Sequence, residues 1–231
     1  MTTLDPALEA LRKQIREQSA NDPHIAAKIA AQALLERTFA ILNDGKGVHV
    51  ESAFAILGSL AGQASLQSAL AQIADKKPLD ENDALITVTD KQGRNYYYGN
   101  PINRPLLEDR LSLWSLVCGA VQGHGGALPD IGDIVKHVAQ SIGTPQFGIP
   151  RLPEGVEIRF PPQECLRLWQ PLKAEILDVL PVPARDWPLA YGLAIQQLID
   201  QGKDVLPPTT AAVIVMECAV PMSKILPPNK L

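Results

Sequence analysis

The 231-residue chain has few aromatic residues, few cysteines and no long apolar segment. Aromatic residues make up 5% of the chain, and the three cysteines, Cys118, Cys165 and Cys218, include no CxxC pair. Such isolated thiols are typical of reduced cysteines in a cytoplasmic protein, although a reactive or metal-bound thiol is the alternative. The most apolar segment, residues 211–220, contains Glu217 and is about half as long as the ~20 residues that cross a bilayer. We therefore expect no membrane insertion.

Neither sign of charge dominates, since 21 basic residues stand against 25 acidic ones and the net charge is −4 with histidine neutral. This mild acidity disfavours a broad phosphate-binding surface, so we expect no nucleic-acid partner. The amino terminus lacks a basic stretch followed by an apolar core, so we expect no secretory signal. The apolar fraction of 46% is too high for a disordered chain.

Motifs that mark common catalytic sites are absent. The chain contains no GxxxxGKS/T phosphate loop, no HExxH metal site and no GxSxG nucleophile turn. The glycines around His124 lack the spacing of a dinucleotide-binding loop and follow a predicted helix rather than a strand. These absences disfavour an enzyme and predict no cofactor, although many sites are assembled from distant residues.

Proline is concentrated in the second part of the chain. Three of the 20 prolines lie in residues 1–100, and 17 lie in residues 101–231. Since proline lacks an N–H donor and fixes φ, we predict long helices first and shorter ones afterwards. Residues 143–162 are rich in proline and glycine and mark the best domain boundary. The predicted regions are therefore 1–142, 143–162 and 163–231, with a single domain as the alternative.

Helical patterns account for most of the chain. The many small residues of the predicted helix over 50–75 indicate that a neighbouring helix packs at short range, and Gly62 is where this helix can break. Further helices are predicted over 106–121 and 130–142, and from Gln163 with an interruption at Pro171. Residues 209–220 favour helix over strand because of their length and their alanine content. The expected fold is mainly α, a multi-helix bundle of α+β type with one β-hairpin.

The hairpin is predicted over residues 84–98. The β-branched and aromatic segments ALITVTD and NYYY flank a short loop, in which Gly93 would take the left-handed conformation. An isolated hairpin is marginal in water. We therefore expect it to pack on a helix or to pair with its copy in a second subunit.

A stretch rich in tyrosine and polar side chains begins in the second strand. Strand alternation sends Tyr96 and Tyr98 to one face and Tyr97 to the other. A pocket for an anionic or aromatic ligand is predicted from five residues: Tyr96, Tyr98, Asn100, Asn103 and Arg104. The alternatives are a protein interface, where tyrosine and arginine are frequent, and plain packing of the hairpin on a helix.

Two further segments carry candidate chemistry. His124 lies among glycines, which let a ligand approach the backbone, and it is a weak catalytic candidate; the alternative is a histidine in an ordinary tight turn. Asp130, Asp133 and His137 share one edge of a predicted helix, with a spacing that suits a divalent metal or an acid–base pair. The alternative is a helix cap, an anion in the first turn and a solvated face.

Glu217 is the second weak catalytic candidate, because it interrupts an apolar helix. A buried carboxylate needs a partner or becomes neutral. The candidate partners are Arg104, Arg110 and Arg185, chosen only because arginine carries the opposite charge. Alternatively, Glu217 occupies the single exposed stripe of its helix.

Two functions follow from these features. The preferred interpretation is a cytoplasmic helical binding or interaction protein, a homo-oligomer such as a homodimer, without catalysis. The alternative is a small-ligand-binding protein or an enzyme, with a metal as an option, whose pocket lies between the hairpin and the segment Gly119–Gly132.

Overall fold

Three helices rich in alanine and leucine open the fold. They are α1 (Pro6–Gln18), α2 (Ile25–Leu42) and α3 (Val50–Ala74) in the computed structural model, which describes residues 6–75 and 84–228. Helix α3 runs through Gly62 without the break that the glycine allowed. Every residue from Ser52 to Leu66 is buried, so α3 is the centre around which the other helices pack.

The predicted hairpin is confirmed. Strand β1 (Ile86–Thr89) pairs antiparallel with β2 (Asn95–Tyr98), and Gly93 in the connecting turn has φ +79°. The hairpin rests on other parts of the same chain: the Tyr97 N–H donates to the Lys224 carbonyl at 2.9 Å, and Tyr97 packs against an apolar cluster that includes Leu66 and Ala69 of α3. The expected packing on a helix is therefore present.

The segment after the hairpin consists of three pieces, so the prediction of one helix over 106–121 was wrong. Helix α4 (Asn100–Asn103) continues into a π turn over residues 104–108, and α5 (Leu113–Gly123) begins only after a break. The Ser112 hydroxyl accepts the Ser115 N–H at 3.1 Å, which caps α5 and forces the new start. Helix α6 (Ile131–Ser141) matches the helix predicted over 130–142.

Residues 143–161 contain no helix or strand, and shorter helical pieces follow. Helices α7 (Pro162–Cys165) and α8 (Trp169–Leu172) are joined by a 3₁₀ turn, and a π turn follows over residues 173–177, so the helix divides near Pro171 as expected. Two longer helices close the fold, α9 (Trp187–Gly202) and α10 (Pro208–Met222). Helix α10 confirms the helical prediction for 209–220.

The small residues of α3 allow α10 to approach closely. A Cβ at Gly58 would lie 2.8 Å from the Val215 carbonyl oxygen, and one at Gly62 would collide with the Ala219 carbonyl oxygen. Such distances require glycine at both positions. The predicted short-range contact with a neighbouring helix is thereby identified as α3 against α10.

Residues from both sides of the 143–162 segment contribute to the same buried apolar cluster. The division into regions at this segment stays a prediction. Within the described residues, none of the helices has both the length and the apolar character needed to cross a membrane.

Candidate ligand-binding site

The tyrosines of β2 lie in the contact between the hairpin and the rest of the fold. Tyr96 is buried, its ring packs edge-on against Phe147 at 5.1 Å, and its hydroxyl donates to Asp90 Oδ2 at 3.3 Å. Tyr98 is half-buried beneath the ammonium group of Lys224, 5.4 Å from its ring centre. Asn100, Asn103 and Arg104 are half-buried in α4 and the turn after it. Their predicted role in ligand binding stays a prediction.

His124 caps the carboxyl end of α5, and its Nε2 lies 2.8 Å from Asp200 Oδ1 of α9. The imidazole is thus held by a carboxylate of a neighbouring helix rather than by the glycines around it. This contact ties α5 to α9, and the catalytic role of His124 stays a prediction.

The two aspartates at the start of α6 contact their own helix and a neighbouring loop. The Asp130 carboxylate accepts the Asp133 N–H at 3.0 Å and caps α6, and Asp133 Oδ2 accepts from Arg151 Nη1 at 2.8 Å. His137 is half-buried one turn further on. Across the described part of the chain, no three His, Cys, Asp or Glu side chains are grouped so that they could hold a metal ion.

Glu217 is buried, with 4% of its surface exposed, and its partner is Arg151. The Arg151 Nε donates to Glu217 Oε1 at 2.9 Å, and the Arg151 backbone N–H donates to Oε2 at 3.1 Å. The interpretation that Glu217 lies on an exposed stripe of its helix was therefore wrong. The three arginines named as candidate partners were also wrong. Arg151 lies in the irregular segment, where no local pattern pointed to it.

A cavity of about 330 Å³ lies where the start of α2 meets the turn before α5 and the start of α9. It is lined by charged and apolar side chains, namely His24, Pro105, Asp109, Arg110, Leu111, Arg185, Asp186, Pro188 and Leu189. Its charged groups come from three separate segments of the chain. This convergence makes it the candidate functional site.

Asp186 is the buried charge of this cavity, with only 5% of its side chain exposed. Its Oδ1 lies 3.3 Å from His24 Nδ1, an ion-pair distance without the alignment of a hydrogen bond. Its Oδ2 is buried and accepts no hydrogen bond from the residues that the structure describes. A buried carboxylate oxygen in this state is an unsatisfied acceptor, and such a group in a folded protein calls for a donor.

Local hydrogen bonds fix the backbone that carries Asp186 and His24. The Asp186 N–H donates to the Pro183 carbonyl at 2.8 Å, and the adjacent Trp187 indole donates to the Val182 carbonyl at 3.1 Å. The His24 N–H donates to Asp22 Oδ1 at 3.2 Å, at the turn that starts α2. The pair is therefore preorganised at the meeting point of two helix starts.

Two arginines line the same cavity as Asp186. Arg185 is exposed, and its Nε lies 3.9 Å from Asp186 Oδ1. Arg110 is also exposed and forms no ion pair with any residue that the structure describes. A cavity lined by two arginines and one buried carboxylate can bind an anion that also donates a hydrogen bond.

Sequence reasoning did not find this site. The sequence patterns name Arg110 and Arg185 only as possible partners of Glu217 and assign no functional role to Asp186. The adjacent Arg185-Asp186 pair, placed before an apolar helix, is the one local signal that could have drawn attention.

Comparison with protein-family models, with curated proteins and with solved structures finds no match to this chain. A function for it must therefore be inferred from its own residues.

Proposed function

We propose that the chain binds a small anionic metabolite carrying a hydroxyl group, in the cavity around His24 and Asp186. The anion would be a phosphate or carboxylate held by Arg110 and Arg185, and the hydroxyl would donate to Asp186. The protein would act as a binding protein without chemistry or cofactor of its own.

The unpartnered Oδ2 of Asp186 is the observation that carries this proposal. A buried polar group without a hydrogen bond costs about 1–3 kcal/mol, and a charged one costs more. A ligand hydroxyl donating to this oxygen would recover that free energy. Ligand binding therefore explains why an acidic side chain occupies this position.

His24 supports the same role. If its Nδ1 carries the proton toward Asp186 Oδ1, its Nε2 is an acceptor for a second donor of the ligand. The guanidinium groups supply the anion's partners, since arginine binds carboxylate and phosphate through two parallel hydrogen bonds. The site thus combines acceptors for hydroxyl groups with donors for an anion.

Isothermal titration calorimetry with glycerol 3-phosphate, methyl phosphate and glycerol tests the proposal. We expect glycerol 3-phosphate to bind more tightly than methyl phosphate, which lacks the hydroxyls, and than glycerol, which lacks the charge. Arg110→Gln and Arg185→Gln should each weaken binding, whereas Arg16→Gln on exposed α1 should not. The proposal fails if neither glycerol 3-phosphate nor glycerate, the corresponding hydroxy acid, shows binding in the calorimeter at millimolar concentration.

We also propose self-association through β1 as a second function. The side chains of Ile86 and Val88 are 56% and 45% exposed, and in the described residues β1 pairs with β2 alone. An edge strand of this kind can pair with the same strand of a second copy to form a homodimer. Sedimentation equilibrium tests this: a strict monomer at micromolar concentration contradicts it, and Val88→Lys should dissociate a dimer.

A cytoplasmic location is part of the proposal. Its support is that Cys118, Cys165 and Cys218 are all free thiols. Trapping of free thiols in intact cells, followed by analysis of Cys118, would test it, because Cys118 is half-buried whereas Cys165 and Cys218 are buried. An oxidised Cys118 would contradict a cytoplasmic location.

A further inference from the structure

A second cavity, of about 230 Å³, lies between α2, α3 and the turn that follows α7. Ile56 and Cys165 in its lining are buried, whereas Ile41 and Phe160 are exposed, so the apolar lining continues from the interior to the surface. An apolar cavity of about 150 Å³ is large enough to hold benzene. This cavity can therefore take an apolar group of at least that size.

Two opposite charges line the same cavity. Glu164 and Arg167 are exposed and stand three residues apart on one helical segment, so their side chains project from the same side. They do not pair with each other, and neither forms an ion pair with any other residue of the described chain. Both charges are therefore free to meet a ligand.

We propose that this cavity binds a free α-amino acid with an apolar side chain. The ligand carboxylate would pair with Arg167, its ammonium with Glu164, and its side chain would fill the space beside Ile56. A simple carboxylate or a simple amine would match one of the two charges and be repelled by the other. The site shares no residue with the His24–Asp186 cavity, so this inference does not depend on the function proposed above.

A ligand series on the unmodified protein tests this inference. Binding of L-phenylalanine is measured by titration calorimetry and by saturation-transfer NMR, beside glycine, 3-phenylpropanoate and phenethylamine. We expect L-phenylalanine to bind most tightly, because each of the others lacks the side chain, the ammonium or the carboxylate. The inference is overturned if L-phenylalanine does not bind, or if either singly charged compound binds as tightly.

Variants then locate the site. Glu164→Gln and Arg167→Gln should each weaken binding of L-phenylalanine about fivefold, as the loss of one partly exposed ion pair predicts. Arg16→Gln is the matched control and should bind like the unmodified protein. Circular dichroism confirms that each variant is folded. Unchanged affinity in both folded cavity variants would show that the amino acid binds elsewhere and would overturn the inference.

Discussion

Arg151 Nη2 lies 2.7 Å from Glu217 Oε1, and this contact joins the irregular segment after α6 to the buried helix α10. The same guanidinium reaches Asp133 on α6 at 2.8 Å. A single arginine therefore holds three parts of the fold together. It also neutralises the only acidic residue of α10.

Arg151→Met should destabilise the protein by about 2–3 kcal/mol, because Glu217 would stay buried without its partner. The figure lies below the 3–5 kcal/mol typical of a fully buried pair, since Arg151 is 40% exposed. Urea denaturation measures the loss. Arg159→Met is the control, because its partner Asp44 is exposed and the pair should contribute no more than about 1 kcal/mol. Equal losses in the two variants would contradict the argument.

Gly62→Ala should destabilise the protein by about 1–3 kcal/mol, because the new methyl group would push α10 away from α3. Gly58→Ala should act in the same direction but less strongly, since the closest approach there is 2.8 Å. Thermal denaturation measures both.

Gly119→Ala in α5 is the matched control for these glycines. A Cβ at Gly119 meets no atom within 4 Å, so the better helix propensity of alanine should stabilise the protein by up to ~1 kcal/mol. If Gly62→Ala were stabilising as well, the close contact of α3 with α10 would be disproved.

Lys224 should make stability depend on pH. Burial lowers the pKa of Lys224 to about 8, so between this value and the ordinary lysine pKa near 10.5 the unfolded chain binds more protons than the folded one. The Lys224 contribution to stability therefore rises with pH above about 8, by about 1.4 kcal/mol per pH unit at most. The three thiols, whose pKa values burial raises, contribute in the opposite direction in both proteins compared below. Below pH 8 the full cost of burying the ammonium is present.

The measurement compares Lys224→Met with the unmodified protein by urea denaturation at several pH values. Burial raises the pKa values of Tyr96 and Tyr98, which opposes the effect at higher pH, so the comparison stays below about pH 9.5. The methionine variant should be more stable at pH 7, and its advantage should shrink as the pH rises through 8. A constant difference across this range would contradict a buried ammonium group.

Asp186→Ala should change the selectivity of the proposed ligand site rather than abolish anion binding. Without Asp186 the ligand hydroxyl loses its acceptor, so the preference for glycerol 3-phosphate over methyl phosphate should fall about tenfold. Methyl phosphate should bind at least as tightly as before, because a negative charge is removed. Calorimetric titration of both compounds gives the ratio, and an unchanged ratio would remove Asp186 from the site.

Local sequence patterns were sufficient to predict the hairpin and most of the helices. Gly93, with β-branched residues before it and tyrosines after it, defines the turn and both strands within 15 residues of sequence. The helix over 209–220 followed from its length and its alanine residues. The break before α5 was missed, because the capping role of Ser112 competes with the apolar pattern around it.

The charged contacts depended on the tertiary fold. Arg151 and Glu217 are 66 residues apart, and no spacing rule connects a proline-rich loop with an apolar helix. The His24–Asp186 cavity likewise arises only where the starts of two helices meet. Hydrogen bonds within a turn join neighbouring residues, so a local sequence pattern can predict them. An ion pair across the core instead depends on how whole helices pack. The sequence therefore specified most of the secondary structure and a close helix contact for α3, whereas the packing of distant segments decided that the partner is α10 and created both cavities.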